Sequence, residues 1–252
     1  MLKFSEQNAK TRHLATIPEL AKYLAGKRKI YSLDLLAGWT CPGARDCMAK
    51  VHIENGKRRL VDGPNTQFRC FAASLEVAYP NVYNLHNFNF QLMRGMRTDK
   101  KVAELILASL PKRAGIIRWH VAGDFFKLAY LKGAILAAKQ RPDVLFYAYT
   151  KSINHILHIC MDDPSNGVLM PNFMVTASYG GEYDHLIPQS GMRTAKVVFA
   201  ESEAGSLPID HDDSHAATMG GDFALLLHGV QPAGTPAAKA LVELRGKGSY
   251  SR

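Results

Sequence analysis

Six short apolar runs, rich in β-branched and aromatic residues, constrain the fold of this chain more than any other feature. They cover residues 30–36, 115–122, 144–149, 173–177, 196–200 and 223–227. Each is closed by polar or glycine residues and is shorter than a typical helix, the pattern of fully buried strands. Helical patterns separate several of them. Residues 71–77 open one after Cys70, and Val102, Leu105, Ile106 and Leu110 form an i, i+3, i+4, i+8 stripe. Residues 128–139 form another, stopped by Pro142, and residues 155–160 are helix-like. Residues 235–245 form the last, with Thr235 as N-cap, Pro236 at the first position and Gly246 just past the end.

Strands alternating with helices imply right-handed crossovers and a parallel sheet. The expected fold class is α/β: a partial (β/α) barrel of about six mainly parallel strands. An open doubly wound parallel sheet carries the same signature and is the alternative. No internal repeat or low-complexity linker divides the chain, so residues 1–252 read as one domain, with 1–29 as an N-terminal extension and 30–245 as the core. A chain that is 47% hydrophobic and 21% charged is not disordered. No apolar run approaches the roughly 18 residues of a membrane span. Residues 1–10 are polar and lack the apolar centre of a secretory signal. No membrane partner and a cytoplasmic location are expected.

The net charge is +9, and it is uneven: residues 1–126 carry 20 Lys/Arg against 10 Asp/Glu. Basic groups cluster at Lys27-Arg28-Lys29, Lys57-Arg58-Arg59, Lys100-Lys101 and Lys112-Arg113. Such clusters neutralise phosphates and point to a nucleic-acid or nucleotide partner, or else to solvated helix ends and loops.

The strand ends carry the chemistry. Cys41 and Cys47 follow the first strand on a loop punctuated by Pro42 and Gly43, and Cys70 comes 23 positions after Cys47. Three thiolates are what a [4Fe–4S] cluster needs if one iron keeps an open site. Arg45, Lys50 and Arg69 would favour thiolates there. Two other readings stay open: small buried apolar side chains, or zinc with Cys160, His52 or His86 as fourth ligand. Further strand-end groups are His120, Asp124, Lys151, Ser178, Glu201 and His228. Asp124 beside Phe125 and Phe126 would be partly desolvated, the setting of an acid or a ligand anchor. Gly180, Gly181 and Glu182 suit a ligand's amino group, because the glycines let the backbone approach and the carboxylate accepts. The run Asp210-His211-Asp212-Asp213-Ser214-His215 offers carboxylates and imidazoles for a divalent metal such as magnesium, or an N-cap for Ala216 and Ala217. The helix N-terminus at Thr235 is a phosphate seat.

Several segments resemble the bacteriophage gene product 88 family. They are residues 32–44 (SLDLLAGWTCPGA) with Cys47, Cys70-Phe71-Ala72, residues 120–126 (HVAGDFF), residues 146–152 (FYAYTKS), residues 177–181 (ASYGG) and residues 223–234 (FALLLHGVQPAG). The resemblance implies a phage origin and a host-cytoplasmic location, not a reaction. A more distant likeness is to radical S-adenosylmethionine enzymes, which also carry three cluster cysteines after the first strand of a partial barrel and a Gly-Gly-Glu-like segment. Here the third thiol is displaced, and Gly180-Gly181-Glu182 follows the fourth strand rather than the second.

Three readings follow. The first is an iron–sulfur enzyme: Cys41, Cys47 and Cys70 hold the cluster, Asp124, Lys151 and His228 act as catalytic groups, and Ser178, Gly180, Gly181 and Glu182 bind a cofactor such as S-adenosylmethionine. The second is a divalent-metal phosphodiesterase or nuclease built on Asp124, Asp210, His211, Asp212, Asp213 and His228. The third is a zinc-stabilised nucleic-acid-binding protein without catalysis.

Overall fold

All six apolar runs become strands of one sheet, because each is long enough for a buried strand and each intervening segment is long enough to cross over. The computed structural model describes residues 1–6, 10–162, 170–218 and 220–245; Gly246 lies outside them. In chain order the elements are β1 (Ser5–Glu6), α1 (Ala21–Leu24), β2 (Lys29–Leu33), β3 (Ala49–Glu54), β4 (Lys57–Asp62), α2 (Phe71–Ala78), α3 (Pro80–Gly95) and α4 (Asp99–Ser109). There follow β5 (Ala114–Trp119), α5 (Leu128–Gln140), β6 (Leu145–Thr150), α6 (Ile153–Asp162), β7 (Phe173–Ser178), α7 (Ile187–Ser190), β8 (Thr194–Val198), α8 (Ser214–Ala217), β9 (Phe223–Leu226) and α9 (Pro236–Glu243).

The main sheet has the order β1-β2-β5-β6-β7-β8-β9. Every neighbour pair from β2 to β9 is parallel, and β1 adds antiparallel to β2. The sheet is open, with β1 and β9 at its edges. The strands lie in sequence order with no reversal, which departs from the doubly wound alternative: that fold needs a switch point where the order turns back.

Strand alternation sorts the two faces. On one, Leu33, Trp119, Phe146 and Phe173 pack with Val102 and Ile106 of α4, Leu131 and Ala134 of α5 and Ile156 of α6. Gly133 permits the α4–α5 contact, since a Cβ there would fall 2.4 Å from the Cβ of Val102. On the other face Ile30, Ile116, Leu145, Tyr147 and Phe223 are covered by Leu14, Leu20 and Tyr23 and by Ala216 and Ala217 of α8. Leu14, Leu20 and Tyr23 thus bring part of the N-terminal stretch over the second face, while Leu2 packs on the first and β1 extends the sheet edge.

Several elements were not foreseen, α3 and the β3–β4 hairpin among them. α3 buries His86, Asn89 and Met93, so its inward stripe is largely polar and carries no apolar period. β3 and β4 form a separate antiparallel hairpin with Ala49 opposite Asp62. Its turn is Asn55-Gly56, with φ of 51° and 73°, the left-handed pair that a two-residue hairpin needs.

Candidate functional site

The hairpin explains how Cys70 comes back to Cys47. Because its two strands pair to their ends, the chain leaves after Cys47 and returns to nearly the same place before Cys70. Backbone bonds close the base: Gln67 N–H and Phe68 N–H donate to Asp46 O at 2.7 and 3.1 Å. Cys70 then stands as N-cap of α2, near the backbone N–H groups of Ala72 and Ala73.

The Cys41–Cys47 loop is held from several sides. Ala37 N–H donates to the buried Glu76 Oε1 at 2.9 Å, which anchors the loop to α2. Arg45 and Asp46 N–H donate to Gly180 O, and Glu182 N–H donates to Gly43 O at 2.8 Å. Ala44 and Gly181 form an antiparallel bridge. A Cβ on Gly181 would lie 2.8 Å from Gly43 O, so this close approach requires glycine.

All four cysteines are free thiols. Cys41, Cys47 and Cys70 lie within electrostatic reach of one another. Burial pushes the Cys41 thiol well up from its usual range, and the charges of Asp124, Cys70 and Cys47 add to the shift. Burial and then Cys47 push Cys70 up to about 12, against the lowering pull of the α2 N–H groups. Among the described residues no three His, Cys, Asp or Glu side chains are gathered at metal-coordination spacing. The thiols are neighbours and not a closed cage.

Beside them, at the C-terminal strand ends, is a cavity of about 270 Å³. Cys47 and Cys70 line it, with Arg118 and His120 from the end of β5, Lys151 after β6, Ser178 at the end of β7 and His228 after β9. Lys151 Nζ donates to Ser178 Oγ at 2.6 Å and to Tyr179 O at 2.8 Å. His228 packs on Phe71 with ring centroids 4.5 Å apart. His120 has φ of 63°, a strained value for a buried non-glycine residue. Its Nε2 meets Tyr130 Oη at 2.9 Å. Burial, and then the Arg118 charge, push its pKa down to about 3, so the imidazole is neutral.

Cys47, Cys70, Lys151, Ser178 and His228 thus meet at one cavity. The other expected groups are turned to structural work. Asp124 is buried behind the cavity, where its carboxylate accepts from Thr150 Oγ1 at 2.6 Å, Phe125 N–H at 2.7 Å and Lys151 N–H at 2.8 Å. Burial raises its pKa although those bonds oppose the shift. Gly180 and Gly181 N–H donate to Asp184 Oδ2 and Oδ1 at 3.0 and 2.9 Å, so their backbone groups are already engaged. Glu182 is exposed and faces a second cleft, between the cysteine loop and the hairpin. Arg45 and Arg69 are paired with Asp46 and Asp62.

The acidic run is a knot of turn and cap bonds. Asp210 accepts from Asp212 N–H and Ala216 N–H, and Asp212 accepts from Ser214 N–H. Asp213 meets Arg118 Nη1 at 2.7 Å and accepts from Tyr147 Oη at 3.0 Å. Asp210 thus supplies the bond to the first turn of α8, whereas Asp213, at the N-cap position, makes none with its side chain. The basic clusters are also divided. Lys27–Lys29 and Lys112-Arg113 meet at the N-terminal ends of β2 and β5, where Arg113 donates to Lys27 O at 2.7 Å. Lys57–Arg59 lie on the hairpin, so the excess charge does not form one stripe. No helix among the described residues is long and apolar enough to cross a membrane.

Sequential parallel strands, helices α4, α5 and α6 on one face and a cavity at the C-terminal strand ends define a singly wound α/β protein. The chain belongs to the Gene product 88 family, whose model matches residues 2–243. No curated protein and no solved structure matches it.

Proposed function

We propose that this protein is an enzyme whose strand-end cavity binds a small substrate beside a metal centre held by Cys41, Cys47 and Cys70, a [4Fe–4S] cluster being the centre that suits three thiolates. The observation that carries the reading is the closeness of three cysteines from two chain segments, two of which, Cys47 and Cys70, line one cavity. Left alone, Cys41 and Cys70 stay protonated, because burial and neighbouring negative charge disfavour their thiolates. A bound cation reverses that balance and deprotonates them. Among the described residues the thiols are not at coordination spacing, so they would have to move together to hold a centre. A three-thiolate cluster would supply an electron and one open iron as a ligand site.

Lys151, Ser178 and His228 would contact the substrate in the cavity, and Asp124 would hold the Lys151 backbone in place. A curved sheet of partial-barrel type suits the sequential order and the one-sided α4–α6 layer. The likeness to radical S-adenosylmethionine enzymes rests on the three cysteines after the first strand and on the Gly-Gly-Glu segment. Gly180 O already accepts from Arg45 and Asp46 N–H, so a methionyl amino group would need other acceptors, such as Ser178 in the cavity lining. Phosphodiester hydrolysis at the acidic run has no comparable support, because its carboxylates are already bonded.

The test is anaerobic purification followed by iron and sulfide analysis and an absorbance spectrum. A brown protein absorbing near about 400 nm, whose colour is lost in Cys41→Ala, Cys47→Ala and Cys70→Ala alike, is the expected result. Colourless, iron-free protein after cluster reconstitution overturns the reading. Stoichiometric zinc in its place would favour the zinc alternative.

A further inference from the structure

We infer that the cavity takes an organic ligand with an oxyanion at one end and an apolar body, the oxyanion lying over the end of β5. The inference rests on the cavity being the substrate site proposed above, but not on the metal.

The charge of the lining comes first. Arg69, Arg118 and Lys151 line the cavity, and no Asp or Glu does so among the described residues. Two of these cations have carboxylate partners outside the lining, Asp62 for Arg69 and Asp213 for Arg118. Lys151 Nζ is bonded to neutral oxygens of Ser178 and Tyr179. A low-dielectric space edged by cations attracts anions.

Second, two buried nitrogens in this wall are without a hydrogen-bond partner among the described residues: Arg118 Nε and His120 Nδ1. Arg118 lies near the end of β5 and His120 just past it, and both line the cavity. Arg118 is 7% exposed and His120 4%. A buried donor with no acceptor is destabilising, and Arg118 Nε is a charged donor that nothing among the described residues satisfies. A ligand oxygen supplies the missing acceptor.

Third, the remainder of the wall is apolar. Phe68, Phe71, Val197, Leu225 and Leu227 face the same space. That wall suits an aromatic or aliphatic body and not a bare inorganic ion. A carboxylate and a phosphate ester share the oxyanion chemistry, and the experiment separates them.

The full chain is titrated with the fluorescent anion anilinonaphthalenesulfonate and, separately, with its uncharged relative N-phenylnaphthylamine. The expected result is tighter binding of the anion. Lys151→Met should weaken anion binding by about tenfold and leave the neutral probe unchanged. The double variant Arg118→Met/Asp213→Asn removes the cation without stranding its partner and should do the same; near-ultraviolet circular dichroism shows that each variant is folded. Displacement by benzoate and not by adenosine monophosphate assigns a carboxylate, and the reverse a phosphate ester. Equal affinity for the two probes, or variants that bind both like the wild type, overturns the inference. Replacing all three cysteines by serine removes any cluster and should keep anion binding. Loss of anion binding in that variant would mean the metal, and not the basic wall, is the anion's partner.

Discussion

Arg118 Nη1 lies 2.7 Å from Asp213 Oδ2, a buried ion pair that joins β5 to the loop before α8. Tyr147 and Tyr149 donate to the same carboxylate at 3.0 and 3.3 Å, so one aspartate gathers β5 and β6 beneath the cavity. Asp213 has φ of 67°, which asparagine also tolerates. Asp213→Asn should therefore test the charge without added backbone strain. Stranding the Arg118 charge should cost roughly 3–5 kcal/mol in urea unfolding. Adding Arg118→Met should recover most of that loss; a double variant no better than Asp213→Asn would show that the pair is not the source.

Glu76 fixes the entry to the cysteine loop. Its Oε1 accepts from Ala37 N–H at 2.9 Å and lies 2.8 Å from His86 Nδ1. Glu76→Ala should destabilise the protein by about 1–3 kcal/mol. It should also speed the reaction of Cys41 with a thiol reagent, because the loop loses its tie to α2. Unchanged Cys41 reactivity would show that the loop is held by its other bonds alone.

The neutral state of His120 has a pH signature. A free histidine titrates near about 6.5, whereas burial keeps this one neutral down to about 3. The unfolded chain thus binds the additional proton between those values. The stability contributed by neutral His120 is complete above the upper value and is lost as pH falls through the window, by roughly 1.4 kcal/mol per pH unit. His120→Asn tolerates the positive φ and cannot titrate. The stability difference between wild type and this variant should shrink on acidification from about pH 6.5 toward about pH 4; a constant difference would contradict the burial argument.

Gly133 and Val102 test the packing of α4 on α5. A methyl at position 133 would meet the Val102 side chain at 2.4 Å. Gly133→Ala should cost about 1–3 kcal/mol by overpacking, despite alanine's better helix propensity. Val102→Ala in the same chain should relieve much of the clash, giving a favourable coupling in a double-mutant cycle followed by thermal melting.

Much of the sheet was legible before any coordinates. The apolar runs map onto β2 and β5–β9 with ends shifted by a few residues, and the Thr235 cap is present, with Ala238 N–H donating to its Oγ1 at 3.1 Å. These are local signals: hydrophobic period, turn chemistry and capping act within a few residues. The hairpin was missed although Asn55-Gly56 is a turn signal, because the charged residues of β4 hide the alternation around it. α3 was not legible, because a helix that buries a histidine and an asparagine has no apolar stripe to read.

By itself the sequence determined strands β2 and β5–β9, most of the longer helices and the strand ends where polar groups collect, because those follow from short-range patterning. Tertiary structure alone decided the strand order, the placing of Leu14, Leu20 and Tyr23 over one face and the return of Cys70 to Cys47. It also decided that Asp124, Gly180 and Gly181 brace the site while Arg118 and His120 face the cavity. Such outcomes depend on which distant groups compete for each buried donor and acceptor, and no periodicity along one chain encodes that competition.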